Sequence, residues 1–218
     1  MTKSEVLGKI QAVGLVPVLR ADSEEQAMAL ANAIADGGVN CMEVTMTIPD
    51  AAKVIKRLAK ERPEILLGAG TVLTEEQAKV CIGEGAVFIV SPAFNAKTVE
   101  YCGKNGIAVL PGALTPTEVI NAWNAGADVV KIFPASAMGG AKYIKSLKAP
   151  LPNIEMIPTG GVSLETAHSF LEAGAYALGV GADLVDIHAI TGKHPETITE
   201  NARKYMEIVK GFQEGCLI

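Results

Sequence analysis

Two charged residues sit inside apolar runs, where a folded chain usually has none. Glu43 interrupts Cys41-Met42-Glu43-Val44-Thr45-Met46, and Lys131 interrupts Val129-Val130-Lys131-Ile132-Phe133. Each lies five residues after a glycine, Gly38 or Gly126, so the two hold the same register in different parts of the chain. Side chains alternate along a strand, and equal register predicts that both face the same side of a sheet. A buried lysine and a buried glutamate are costly unless paired or at work. Apolar surroundings favour the neutral amine of a lysine, the form that attacks a carbonyl carbon to give a Schiff base. A carboxylate beside it can carry protons through addition, dehydration and carbon–carbon cleavage. A structural ion pair, or strand-end charges that merely reach solvent, is the competing reading.

A second cluster comes late. Pro158-Thr159-Gly160-Gly161-Val162-Ser163 leaves one apolar run, and Gly179-Val180-Gly181-Ala182 ends the next. Glycine turns at this place can bind an anion through backbone amides, with Gly139-Gly140 lining the same region and Ser163 capping the following helix. Simple turns are the alternative. Further candidates stand at the ends of other runs: Arg20, Thr45, Thr47, Thr71, Ser91-Pro92 and Phe133-Pro134. Arg20 is the only arginine among them and suits a substrate carboxylate, or else a surface salt bridge. Phe133 shares the parity of Lys131 and would shield an imine from water, or simply fill the core. His168, His188 and His194 fall outside these run ends and form no HxH or HExxH pair. Asp183, Asp186 and His188 are the nearest thing to a metal cluster, with a polar surface as the plainer reading. Trp123 reads as helix packing.

These residues need elements to hold them. The chain has 218 residues, 49% hydrophobic and 20% charged, enough for one continuous core and too apolar for disorder. A formal net charge of -5 argues against nucleic acid or an acidic membrane as partner. Cys41, Cys81, Cys102 and Cys216 form no CxxC pair and read as reduced cytoplasmic thiols. Lys3, Glu5 and Lys9 interrupt the region where a signal peptide would be apolar, and no stretch approaches the ~18 apolar residues of a membrane span.

Eight short apolar runs begin at Leu15, Cys41, Ile65, Val87, Ala108, Val129, Ile154 and Ala177, with helical spacing between them. Thr74 to Gln77 and Thr115 to Glu118 fit capping boxes, the second with Pro116 at the first helical position. Helices end in glycine and a strand follows at Gly38, Gly85, Gly106, Gly126 and Gly174, at gaps of 47, 21, 20 and 48 residues. A unit of about 21 to 24 residues repeated eight times predicts an α/β fold, a (β/α)8 TIM barrel spanning residues 1–218 as a single domain. The rival is a doubly wound open sheet, against which stands the absence of a dinucleotide glycine fingerprint after the first run. An extra N-terminal helix over residues 1–13 would close the barrel bottom. Asp186 to Pro195 reads as a loop or short helix, and a Thr197 to Glu200 box should open the last helix.

Glu43-Val44-Thr45-Met46-Thr47, Gly68-Ala69-Gly70-Thr71-Val72, Val90-Ser91-Pro92, Val130-Lys131-Ile132-Phe133-Pro134 and Pro158-Thr159-Gly160-Gly161-Val162 resemble, in order, the motifs of the KDPG/KHG aldolase family. Members cleave 2-keto-3-deoxy-6-phosphogluconate (KDPG) and 4-hydroxy-2-oxoglutarate (KHG). The resemblance implies a class I aldolase acting without metal or other cofactor on a keto acid, with pyruvate as product, usually as a homotrimeric (β/α)8 barrel. It implies that Lys131 forms the Schiff base and Glu43 is the general acid/base, partly through a water. Thr71, Pro92 and Phe133 match residues around the pyruvyl group, and Gly160-Gly161 matches part of the phosphate site. Many members carry an arginine at the position of Thr47; others have threonine there and an arginine at that of Arg20, as here. Ala182, beside Gly181, stands where a phosphate-binding serine is frequent, and Asp183 would repel a phosphate if it faced the pocket. A related 2-keto-3-deoxy sugar acid such as the 6-phosphogalactonate is an alternative substrate; a non-catalytic sugar-phosphate-binding barrel is the alternative of another class.

Overall fold

The computed structural model describes residues 1–215. The chain runs α1 (Lys3–Val13), β1 (Leu15–Leu19), α2 (Glu24–Asp36), β2 (Cys41–Thr45), α3 (Ala51–Glu61), β3 (Leu66–Gly70), α4 (Glu75–Gly83), β4 (Phe88–Val90), α5 (Ala96–Lys104), β5 (Ala108–Leu110) and β6 (Gly112–Ala113). It continues through α6 (Pro116–Asn124), β7 (Val130–Ile132), a 3-10 turn (Ala135–Met138), α7 (Ala141–Lys148), β8 (Met156–Pro158), α8 (Ala167–Glu172), β9 (Leu178–Val180), α9 (Ile187–Thr191) and α10 (Pro195–Gly215).

Strand pairing is parallel throughout, in two sheets: six strands in the order β5-β4-β3-β2-β1-β9, and three in the order β6-β7-β8. The order runs one way and brings β9 beside β1, without the reversal of a doubly wound sheet. The eight apolar runs appear here as nine strands. The fifth run stops at Leu110 because Pro111 has no N–H to give the ladder, and the chain resumes as β6, which pairs with β7. Between β8 and β9 the link is a single parallel bridge, Thr159 to Gly179. An α/β fold with a curled parallel sheet is therefore what the hydrogen bonds describe, in nine strands rather than eight.

The curl separates two apolar layers. Val16, Cys41, Leu66, Phe88, Ala108, Val129 and Ile157 cluster on the concave side, with Val6 and Ile10 of α1 packed against them. The extra N-terminal helix thus covers one end of the interior, as its sequence suggested. The opposite strand faces and the surrounding helices form the larger cluster, with Leu19, Ile34, Val44, Ile55, Ile89, Ile144 and Phe170 among its members.

Local signals hold in most places. Thr2 with Glu5, and Thr115 with Glu118, form complete capping boxes. Thr74 accepts from the Gln77 amide, but the Gln77 side chain turns to the Leu73 N–H, so that box is half made. The glycines before the strands, Gly38, Gly85, Gly106, Gly126 and Gly174, all have φ between 67° and 114°, a backbone region that penalises a Cβ. Asp186 caps the short α9. The last helix starts at Pro195, before the expected Thr197 box, since proline fits the first helical turn. Cys41, Cys81 and Cys102 are free and buried; Cys216 lies outside the described residues. Among those residues, no helix is long and apolar enough to cross a membrane.

Candidate active site

Glu43 stands at the centre of β2, between Val18 on one neighbouring strand and Gly68 on the other. Lys131 is central in β7, flanked by Gly112 and Ile157. The two strands belong to different sheets, yet their side chains meet across the concave side. Lys131 Nζ lies 3.3 Å from Glu43 Oε1, and the residues are 5% and 1% exposed. Matched register has become a contact. Glycine makes the space for it: a Cβ on Gly70 would lie 2.7 Å from the Glu43 carboxyl carbon. One step deeper on β2, burial and then the Glu43 charge push the Cys41 thiol well above its ordinary range, a sign of how dry the floor is.

Phe133 follows Lys131 on the same face, with Nζ 5.7 Å from its ring centroid, within cation–π range. The Thr45 hydroxyl donates to the Leu19 carbonyl at 2.7 Å and lies 2.7 Å from the Thr47 hydroxyl. Thr45 has one proton to give, so Thr47 donates to Thr45 and is tied back to β2. Thr71 holds φ at 57°, rare for a threonine, at the end of β3.

Beside Phe133 opens a cavity of about 510 Å³, whose lining includes neither Lys131 nor Glu43. It gathers six of the sequence-predicted residues: Arg20, Phe133, Gly160, Gly161, Gly181 and Ala182. Pro92 lies instead in an adjoining cavity of about 390 Å³, which Phe133 also borders. Gly112 permits that approach, since a Cβ there would strike the Pro92 carbonyl at 2.2 Å. Thr47 and Thr71 line neither space. Arg20 is exposed at the mouth and has no hydrogen-bond or ion-pair partner among the described residues. Among those residues it forms no surface salt bridge. Ser163 ties to Thr166 in the turn before α8 rather than capping the helix directly.

Val18, Thr159 and Asp183 also line the cavity. Val18 was legible by parity with Arg20, two residues on, whereas Thr159 depends on the bridge to β9 and gives no local signal. The Asp183, Asp186 and His188 group does other work: Asp183 accepts from Tyr205 and the Leu164 N–H, while Asp186 accepts from the His188 and Ala189 amides. Among the described residues no three His, Cys, Asp or Glu side chains gather in a metal-holding group.

A buried lysine and glutamate in contact, next to a cavity that Phe133 borders and that carries a free guanidinium at its mouth, can form an imine with a keto acid and move its protons. Comparison with known proteins agrees. Residues 6–201 match the profile of the aldolase family described as KDPG and KHG aldolase. The 2-dehydro-3-deoxy-phosphogluconate aldolase of Treponema pallidum is 34% identical over 200 residues, 92% of this chain and 95% of that one. The KHG/KDPG aldolase of Escherichia coli K12 is 32% identical, over 90% of this chain and 92% of its own. A crystal structure of the Legionella pneumophila KDPG aldolase, with pyruvate captured at low pH as a covalent carbinolamine intermediate, superposes with a TM-score of 0.84 at 29% identity, covering 93% of this chain and 97% of that one.

Proposed function

The chain belongs to the KDPG and KHG aldolase family, and on that premise we infer that it is a class I aldolase. It cleaves KDPG, KHG or a related 4-hydroxy-2-keto acid to pyruvate and an aldehyde, glyceraldehyde 3-phosphate or glyoxylate. The observation that carries the reading is the buried contact between Lys131 and Glu43.

Passage of one proton across that 3.3 Å contact turns ammonium and carboxylate into amine and carboxylic acid, the nucleophile and acid the first step needs. The Lys131 amine adds to the C2 carbonyl. Glu43 protonates the resulting hydroxyl, which leaves as water, and a protonated imine forms. Glu43, now a carboxylate, takes the C4 hydroxyl proton, directly or through a water. The C3–C4 bond breaks, its electrons move into the imine as an enamine, and the aldehyde departs. Protonation at C3 and hydrolysis release pyruvate and restore Lys131.

Around this centre we assign the C1 carboxylate to Arg20, because Thr47 brings no charge and its hydroxyl is held by Thr45. Pro92 and Phe133 border the pyruvyl part, where the family likeness also puts Thr71, and Gly160, Gly161, Gly181 and Ala182 border the distal part of the substrate. The finer fold reading is a closed (β/α)8 barrel in a single domain: β5 and β6 count as one strand interrupted at Pro111, and the Thr159 to Gly179 bridge is its seam. A homotrimer in the cytoplasm is the expected setting, from the family likeness and the composition.

Incubation with pyruvate and borohydride tests the mechanism. A reduced pyruvyl group of about 72 Da should appear on Lys131 alone, following from imine reduction, and turnover should survive EDTA. A label on another lysine, or reversible loss of activity on chelation, would defeat the assignment.

A further inference from the structure

The distal wall of the cavity carries a charge that a phosphate would have to face. Asp183 follows Ala182 directly after β9 and lines the cavity with Gly160, Gly161 and Arg20. It is not a loose surface carboxylate. Tyr205, fully buried on α10, donates its hydroxyl to Asp183 Oδ2, and the Leu164 N–H donates to the same oxygen at 3.3 Å. Burial, then the bond to Asp183, pushes the Tyr205 phenol well above its ordinary range, so it remains a donor. Both recorded hydrogen bonds use Oδ2; Oδ1 accepts none from the described residues.

The ionisable groups lining this cavity are one cation and one anion, Arg20 and Asp183. A keto acid brings its own C1 carboxylate, which engages Arg20. A phosphorylated tail would then bring nearly two more negative charges with no cation left to meet them, beside a fixed carboxylate. Ala182 offers no hydroxyl to help. A sugar hydroxyl meets the same wall on better terms, since it can donate to Asp183 Oδ1 while its oxygen accepts from a neighbouring N–H.

We propose that Asp183 makes the distal end of the site select a neutral, hydroxyl-bearing tail, so that the preferred substrates are unphosphorylated 2-keto-3-deoxy sugar acids. The proposal rests on the class I aldolase reading and sets the substrate class within it. Selectivity comes from a fixed acceptor that rewards a donor and repels an anion.

The experiment compares kcat/KM for 2-keto-3-deoxygluconate and for its 6-phosphate in the wild-type protein, Asp183→Asn, Asp183→Ser and Tyr205→Phe, with circular dichroism to verify folding. The wild type should favour the unphosphorylated acid. Asp183→Asn should move the ratio toward the phosphate by about tenfold or more. Asp183→Ser should move it at least as far, and Tyr205→Phe in the same direction by less. A wild type that favours the phosphorylated acid overturns the proposal, as does a ratio that moves less than about threefold in both folded Asp183 variants. Pyruvate trapping on wild-type Lys131 keeps the two readings apart. No adduct removes the aldolase reading itself, whereas an adduct together with a ratio indifferent to Asp183 removes this proposal alone.

Discussion

Two sets of opposite charges stand in and behind this region, and they are arranged in opposite ways. At the buried floor beside Phe133, outside the cavity lining itself, Lys131 and Glu43 are joined at 3.3 Å. At the mouth, Arg20 and Asp183 are exposed and unjoined to each other. Burial explains the difference. Charges removed from water must find each other, because leaving one alone is far more costly than pairing both. Charges in contact with water can wait for a ligand. The floor therefore suits chemistry that consumes and restores a charge in place, and the mouth suits recognition.

Mutation of the floor should give the largest effects. Lys131→Met should abolish turnover and leave Glu43 buried without a partner, lowering stability by about 3–5 kcal/mol in urea unfolding. The double variant Lys131→Met with Glu43→Leu should recover most of that stability and none of the activity. A double variant no more stable than the single one would show that Glu43 is not strained by isolation, and the contrast with the mouth would fail.

Glu43→Gln keeps a hydrogen-bonding group opposite Lys131 but cannot move protons, so a folded protein with kcat reduced by ~10²-fold or more is expected. Unfolding, with near-normal turnover in the folded fraction, would return the pair to a structural role. Arg20→Ala at the mouth should lower kcat/KM by about 30- to 1,000-fold for every keto acid, the scale for losing a charge-assisted partner of a shared carboxylate. It should leave the urea midpoint nearly untouched, since no protein group loses a partner. The smallest effect belongs to exposed pairs such as Lys104 with Glu100, 2.6 Å apart on α5. Glu100→Ala should change stability by less than about 0.5 kcal/mol, which calibrates the floor variants.

The floor was legible in the sequence because its signal is local. Glu43 and Lys131 stand out against apolar neighbours, and counting from Gly38 and Gly126 gives their common register. The helix caps at Thr74 and Thr115 and the glycines before the strands are equally local, and they fell where expected, with the Thr74 box half made. What stayed hidden depends on how distant segments close on each other. Asp183 meets Tyr205 across 22 residues, on a helix whose start was itself misplaced. The bond between the Thr47 and Thr45 hydroxyls gives no sign in the sequence either. Pro111 sat within view, but its effect on the ladder emerges only when β6 must pair with β7 while β5 pairs with β4.

That break at Pro111 places the catalytic pair in an unusual mechanical position. Glu43 belongs to the six-stranded sheet and Lys131 to the three-stranded one, and no continuous ladder joins β5 to β6. Among the described residues few backbone hydrogen bonds join the two sheets, Asp128 N–H to Val109 O and Lys131 N–H to Pro111 O at one seam and Tyr176 N–H to Met156 O at the other, so the seams should open at lower free energy than either sheet melts. Any such opening pulls the amine away from its carboxylate. In a denaturant titration, activity should then fade before the circular dichroism of the helices does. A covalently trapped substrate bridging the floor would act as a clasp, slowing amide exchange along β6 and β7.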